Sequence, residues 1–548
     1  MKIRTISLLS LALLQSSLAM SQNNYVSKVW VADLGNGKYK NPILYADYSD
    51  PDVCRVGDDY YMTASSFNCI PGLPILHSKD LVNWQIINYA VERLEPAEQF
   101  DFPSHGNGIW APSIRYHEGE FYIYWGDPDN GIYMVKTKDP AQRWSKPILV
   151  HKSKGLIDTC PFWDEDGRAW LGHGYAGSRA GLKSILGLIE MSPDGTHTIG
   201  EDRIIYDGHE DNVTIEGVKL YKRNNYYYIL CPAGGVPTGY QLAMRSEKID
   251  GPYEWKVVMN QGNTCINGPH QGAWIDTPDG SEHWFIHFQD IDAYGRVAHL
   301  NPLHWTNDWP VIGMDFDGDL CGSPVSTYKK PNLPKQQIVT PVESDNFDST
   351  KLGLQWQWQA NANALWYFCD AANSRLRLFS APTKETYKNL WDVPNLLLQK
   401  FPAPNFTATA IVHFHPTDKY KGERGGLVVM GIDYAILVIE NTATGIRLTQ
   451  NVCNNAKQGT AESVESKPVV LEYNQEVALR VEVTKQDGNV AECQFSYSLD
   501  RVNFVPIGKT FNAKEGQWIG AKVGMFMTRP VRNSNDGGWI DVNSFVVE

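Results

Sequence analysis

Short apolar and aromatic runs, broken every few residues by Gly, Asn, Asp or Pro, recur along most of the chain, and sustained helical periodicity is nearly absent. Alternation punctuated in this way predicts an all-β protein. One pattern repeats five times: a tight polar turn followed by aromatic-rich alternation. The copies are Gly57-Asp-Asp-Tyr-Tyr-Met, Glu118-Gly-Glu-Phe-Tyr-Ile-Tyr, Asp166-Gly-Arg-Ala-Trp-Leu, Asn224-Asn-Tyr-Tyr-Tyr-Ile and Gly280-Ser-Glu-His-Trp-Phe. The turns lie roughly 50–60 residues apart, the size of one four-stranded propeller blade. A second element follows several copies, at Ser78 to Trp84, at Thr137-Lys-Asp-Pro with Trp144, and at Ser246 to Trp255, and predicts the outer hairpin of a blade. Five copies predict a five-bladed β-propeller over residues 24–330. Residues 331–342 are rich in Pro and Lys without periodicity and read as a linker. From residue 343 to 548 shorter β-branched alternations, such as Ala478 to Thr484, predict a β-sandwich.

Composition narrows the class. The 548 residues are 42% hydrophobic and 20% charged, which is globular and not disordered. Aromatics reach 12%, with 18 Trp and 27 Tyr, a composition that suits flat amphipathic surfaces such as those that stack on sugar rings. The net charge of -13 argues against nucleic acid, whose phosphates need a basic footprint. Lys2 and Arg4, the apolar run Ile6 to Leu14 and the small residues Ser17 and Ala19 form a signal-peptide pattern over residues 1–19. It leads us to expect export to a periplasmic or extracellular location. No later stretch has the 18 apolar residues of a membrane span. The nine Cys are scattered and never spaced as CxxC, so most are expected to be buried thiols, with room for one or two bridges.

The chemistry is expected just upstream of the five turns, where the first strand of each blade lines the central axis. Blade by blade the candidates are Asp50, Trp110, Asp158, Glu216 and His270, each among small or apolar neighbours. Three carboxylates around one axis raise one another's proton affinity, so one is expected to stay protonated near neutrality. An acid and a carboxylate base in one pocket are what glycoside hydrolysis requires.

At these residues the chain resembles glycoside hydrolase family 43. The similar segments are Asn41-Pro-Ile-Leu with Ser49-Asp-Pro-Asp-Val, Trp110-Ala-Pro-Ser-Ile-Arg, Ile157-Asp-Thr-Cys-Pro-Phe-Trp, Ile215-Glu-Gly-Val-Lys-Leu-Tyr-Lys, Pro269-His-Gln-Gly and Gly295-Arg-Val-Ala-His-Leu-Asn-Pro. The resemblance implies an inverting hydrolase of β-xylosidase or α-L-arabinofuranosidase type. In it Asp50 is the general base, with Asp52 as a rival, Glu216 the general acid, and Asp158 the group that tunes and orients the acid. The family usually has Pro where this chain has Ser49, and often Gly-Pro-His or Gly-Pro-Lys where Val218 follows Gly217 here. His270 resembles an axial histidine near the base or around a cation, and Arg296 an active-site arginine that touches carboxylates and sugar hydroxyls. Phe67 and Trp110 are candidates for the sugar wall, and Trp518 for an aromatic at the pocket rim. Residues 64–76 are expected to raise that rim and favour exo action on xylosyl or arabinofuranosyl termini of hemicellulose or pectin side chains. No cofactor is expected to be required. Asp315, Asp317 and Asp319 could hold Ca²⁺ but read better as a solvated loop. The expected partner is an oligosaccharide or polysaccharide. The alternatives are an arabinan- or galactan-cleaving enzyme on the same scaffold, or a propeller that binds sugar without cleaving it.

Overall fold

The computed structural model describes residues 24–417, 419, 421–530 and 536–548. The expected signal peptide, residues 1–19, lies outside them. Five antiparallel four-stranded sheets follow one another along the chain, each with its strands in sequence order. Their first strands are Asp52–Val56, Trp110–His117, Leu156–Trp163, Lys219–Arg223 and His270–Asp276. Every repeated turn read from the sequence joins the first and second strands of one sheet. The Ser78, Thr137 and Ser246 elements join third to fourth strands. The fold is therefore the five-bladed propeller that the repeats predict.

The blades pack through their apolar alternation. Blade 1 residues Val53, Tyr60 and Met62 share one core cluster with Ala273, Ile286, Ala298 and Leu300 of blade 5, which closes the ring. Asn41 strengthens the seam, with its side-chain amide donating to the carbonyls of Leu300 and Val325. A short ribbon pairs Lys38–Lys40 with Thr327–Lys329 beside it.

The second half is a β-sandwich of a nine-stranded and an eight-stranded sheet. Their apolar faces meet in a core that includes Trp356, Leu397, Leu427, Leu437, Leu479, Met525 and Phe545. That core continues into the propeller, because Ile291, Ala293, Tyr294 and Val297 of blade 5 belong to the same cluster. The Tyr294 hydroxyl donates to Pro404 O at 2.9 Å, and Ala521 N donates to Ala293 O at 2.7 Å. Burial of a shared apolar surface makes the two halves one packed body.

Residues 64–70 do not form the free rim expected of them. They are buried, and Ile70 exchanges backbone hydrogen bonds with Trp358 of the sandwich. Apolar Cys69 and Ile70 are better hidden in the domain joint than displayed to water. All nine Cys are unpaired and seven of them are buried, as expected of buried thiols; the one or two bridges for which the sequence left room are not formed.

Candidate active site at the propeller hub

The first strands share one local device. Asp50, Ala111, Asp158, Gly217 and Gln271 all adopt positive φ, between 32° and 68°, at the same station in the five blades. The pairing register of blades 2, 3 and 5 shifts there. A bulge at this point re-aims a side chain that strand alternation would otherwise send into a blade interface. Aspartate tolerates the left-handed region better than most residues, which suits Asp50 and Asp158 to it.

Asp50 is 5% exposed. Its Oδ2 accepts hydrogen bonds from Ser49 Oγ at 2.7 Å and Ser65 Oγ at 2.6 Å. Arg296 Nη1 stands 3.4 Å from Oδ1 and donates to Ser49 Oγ at 2.8 Å. Asp47 Oδ1 accepts from the Arg296 amide at 2.9 Å, which ties the arginine to the blade 1 turn.

Asp52, the rival base, has a different life. It is fully buried, and its Oδ2 accepts from Arg115 Nη1 at 2.6 Å and from the Ile114 amide at 2.7 Å. Lys219 Nζ lies 3.8 Å from Oδ1. Arg115 and the Ile114 amide of blade 2 and Lys219 of blade 4 occupy Asp52, which is fully buried, whereas Asp50 keeps some exposed surface at the hub.

Asp158 is 4% exposed, and its Oδ2 accepts from the Gly217 amide at 2.8 Å. Burial, then the charge of Glu216, and more weakly that of Asp50, push its carboxyl well above the ordinary value of 3.8. The charges of both other carboxylates thus reach Asp158, and together with burial they favour its protonated form.

Glu216 keeps a side chain that is 27% exposed, and His270 Nε2 lies 3.0 Å from its Oε1. His270 thus attends Glu216, the expected acid, and not Asp50. The His270 and Arg296 side chains both lie against Phe288, with the guanidinium 5.0 Å from the ring and the imidazole 5.5 Å away. A continuous row of Glu216, His270, Phe288, Arg296 and Asp50 crosses the hub.

Trp110 adds aromatic surface at the hub. Its ring lies 6.2 Å from Phe67, 6.3 Å from Trp518 and 5.7 Å from the Arg179 guanidinium. Phe67 is only 3% exposed and exchanges backbone hydrogen bonds with Ile109. It stands beside Trp110, the other expected wall residue, and is as buried as the hub carboxylates Asp50 and Asp158. Trp518 comes from the sandwich and is 50% exposed. Its loop is seated on two glycines. A Cβ on Gly106 would meet Gln517 Cγ at 2.4 Å, and one on Gly520 would meet Gly295 N at 2.8 Å. The sandwich loop therefore bridges blades 2 and 5 over one side of the hub. Between that loop and blades 4 and 5 lies a cavity of about 600 Å³, whose lining includes Arg296, Asp290, Asn267 and Trp518.

Residues 39–310 match the family model described as Glycosyl hydrolases family 43, and residues 344–548 match that of the Beta xylosidase C-terminal Concanavalin A-like domain. The chain belongs to glycosyl hydrolase family 43. It is 31% identical over 562 residues to the Beta-xylosidase of Formosa agariphila, covering 94% of this chain and 91% of that one. It is 32% identical over 446 residues to the Non-reducing end alpha-L-arabinofuranosidase BoGH43B of Bacteroides ovatus, covering 77% and 80%. Among solved structures, the Bacteroides ovatus Xyloglucan PUL GH43B aligns with a TM-score of 0.78 at 25% identity, over 93% of this chain and 99% of that one. The protein is a glycoside hydrolase.

Several groups at this family 43 hub escaped the sequence reading. Ser65 is one, since it both holds Asp50 and accepts from the Ala111 amide at 2.7 Å. Lys219 is another: it is fully buried and donates to Pro112 O at 2.8 Å and Ser113 Oγ at 2.7 Å. Its place three residues after Glu216 was the available signal. Arg179 is held to the rim by Asn107 Oδ1 at 2.7 Å and Asp129 Oδ1 at 3.2 Å, through pairings that no local spacing announces. Asp315, Asp317 and Asp319 do bring carboxylate oxygens within 4.8 Å of one another, but Asp315 already accepts from the Gly318 and Leu320 amides of its own turn.

The raised proton affinity of Asp158 carries a stability cost. Above its ordinary value the folded protein binds more protons at this site than the unfolded chain, so stability falls as pH rises from there. Asparagine can still accept from the Gly217 amide and has no proton to lose. Asp158→Asn is therefore expected to unfold at a higher temperature than wild type near about pH 8, with the gap closing toward about pH 4. Thermal midpoints across that range check it, and a gap that widens on acidification contradicts it. Activity of the same variant is expected to fall.

Proposed function

We propose that this family 43 hydrolase is an exo-enzyme that removes terminal β-xylosyl residues from plant hemicellulose or pectin side chains, by single displacement with inversion. The observation that carries the reading is the convergence of Asp50, Asp158 and Glu216 at one hub. In it Asp50 activates water for attack on the anomeric carbon, and Glu216 protonates the departing oxygen. Asp158 holds the acid in place and keeps a proton beside it. Arg296 and Trp110 hold the sugar between them. Inversion requires room for water between base and sugar, which corresponds to carboxyl groups about 6.5–9.5 Å apart.

The wall made by the 516–520 loop favours exo action, because a chain cannot run freely through a hub closed on one side. The name of the Formosa relative supports xylosyl specificity. That of the Bacteroides ovatus relative supports α-L-arabinofuranosyl termini as a second activity. The proposed chemistry calls for carboxylates and water, with no organic cofactor. The basic, apolar and small-residue order of residues 1–19 supports export.

Proton NMR during hydrolysis of a nitrophenyl β-xyloside and of linear xylo-oligosaccharides tests the reading. Xylose is expected to appear first as the α anomer, one unit at a time from the non-reducing end. First appearance of β-xylose would mean retention and a different role for Asp50. Binding without turnover across xylosides, arabinofuranosides, arabinan and galactan would favour the sugar-binding alternative.

A further inference from the structure

The environment of Asp50 is asymmetric. Its Oδ2 takes two hydroxyl hydrogen bonds, from Ser49 and Ser65, at 2.7 and 2.6 Å. Arg296 Nη1 stands 3.4 Å from Oδ1, the one contact there among the described residues, and 3.5 Å from Oδ2. That same Nη1 donates at 2.8 Å to Ser49 Oγ. The guanidinium thus reaches the carboxylate chiefly through the Ser49 hydroxyl, which accepts from the arginine and passes its own hydrogen to Oδ2. Ser49 is 1% exposed, so water does not compete for either bond. A hydroxyl that accepts from a cation is polarised and donates more strongly to an anion.

We propose that Ser49 is a positioning residue for the base: by coupling Arg296 to Oδ2 it fixes the carboxylate plane and leaves Oδ1 as the oxygen that takes the proton from the attacking water. The inference rests on the reading of Asp50 as the base. The balance is simple. Water gives one proton to Oδ1 as its oxygen bonds to the anomeric carbon, and the departing oxygen takes the proton of the acid. Ser49 returns to its starting state, because its hydrogen stays on Oγ throughout. Ser65 shares the load on Oδ2 but touches no cation, and the direct approach of Arg296 to Oδ2 is long at 3.5 Å, so Ser49 supplies the short link to the arginine.

The test is a cycle on the full chain with Ser49→Ala, Asp50→Ala and the double variant, assayed on a nitrophenyl β-xyloside with and without azide. Azide attacks without a base. In the wild-type background Ser49→Ala is expected to lower kcat about ten-fold, the scale of losing one hydrogen bond to a charged group, with KM unchanged. In the Asp50→Ala background it is expected to cost nothing further, with water or with azide as the nucleophile. A wild-type kcat in Ser49→Ala overturns the proposal, and so does an equal loss in both backgrounds, which would mean that Ser49 acts on packing or on the sugar. Should Asp50→Ala itself keep the wild-type rate with water, the base assignment fails, and the two failures are told apart by which single variant shows it. Thermal midpoints of all four proteins separate these effects from loss of fold.

Discussion

Glu216→Gln is expected to lose about 10³-fold in kcat/KM on xylobiose and far less, within about ten-fold, on a dinitrophenyl β-xyloside. The difference is the signature of a general acid. A sugar alkoxide is a poor leaving group and needs the proton, whereas a dinitrophenolate departs without one. Glutamine preserves the local geometry, because its carbonyl can still face His270 Nε2 where Glu216 Oε1 now stands at 3.0 Å. A loss caused by disturbed packing would strike both substrates equally. With Nε2 carrying its hydrogen, Oε1 is occupied and Oε2 is the atom left to hold the transferable proton. Steady-state rates on a series of aryl xylosides check the assignment. An equal loss on good and poor leaving groups would remove Glu216 from the acid's role.

The hub was readable in the sequence because a propeller repeats. Once the five turns are aligned, Asp50, Trp110, Asp158, Glu216 and His270 fall at one station, and the positive φ values at or beside each show that the station is a real backbone feature. What repetition cannot reveal is the identity of partners far along the chain. Asp50 and Asp52 differ by two residues. What separates them is Arg115 and Lys219, which neutralise Asp52, and Arg296 with Ser65, which dress Asp50. His270 could have attended either carboxyl, and the curvature of the ring, not its own neighbours in sequence, puts it on Glu216.

The sandwich was harder to place than to recognise. Alternation gave its two sheets, but alternation says nothing of how one domain docks on another. Residues 64–76 read as rim because an apolar insertion next to a catalytic strand has two uses, walling a pocket or filling a joint. Ile70 pairs with Trp358, and Lys522 of the sandwich donates to Cys69 Sγ at 3.1 Å, so the end of this segment at Cys69 and Ile70 fills the joint. The same docking carries Trp518 to within 6.3 Å of Trp110. The resemblance to relatives, and not periodicity, was what singled out that tryptophan.

Asp50→Asn is expected to lose activity by about 10³-fold or more on every leaving group alike. The base acts on water, so the quality of the departing oxygen does not alter its contribution to the attack. Asparagine can keep its carbonyl on Ser49 and Ser65 where Oδ2 now accepts both hydroxyls. Its amide then replaces Oδ1, can take no proton, and points hydrogens toward Arg296, which stands 3.4 Å from that oxygen in the wild type. The charge that balances the guanidinium is lost in the same step. Asp50→Ala opens the space instead, and azide is expected to restore turnover there by attacking from the side that water occupied. The configuration of the trapped product then decides the matter. An α-xylosyl azide from a β-xyloside places the nucleophile on the Asp50 face, opposite the departing group that Glu216 protonates. A β-xylosyl azide would put the nucleophile on the leaving-group side and take the base's role from Asp50.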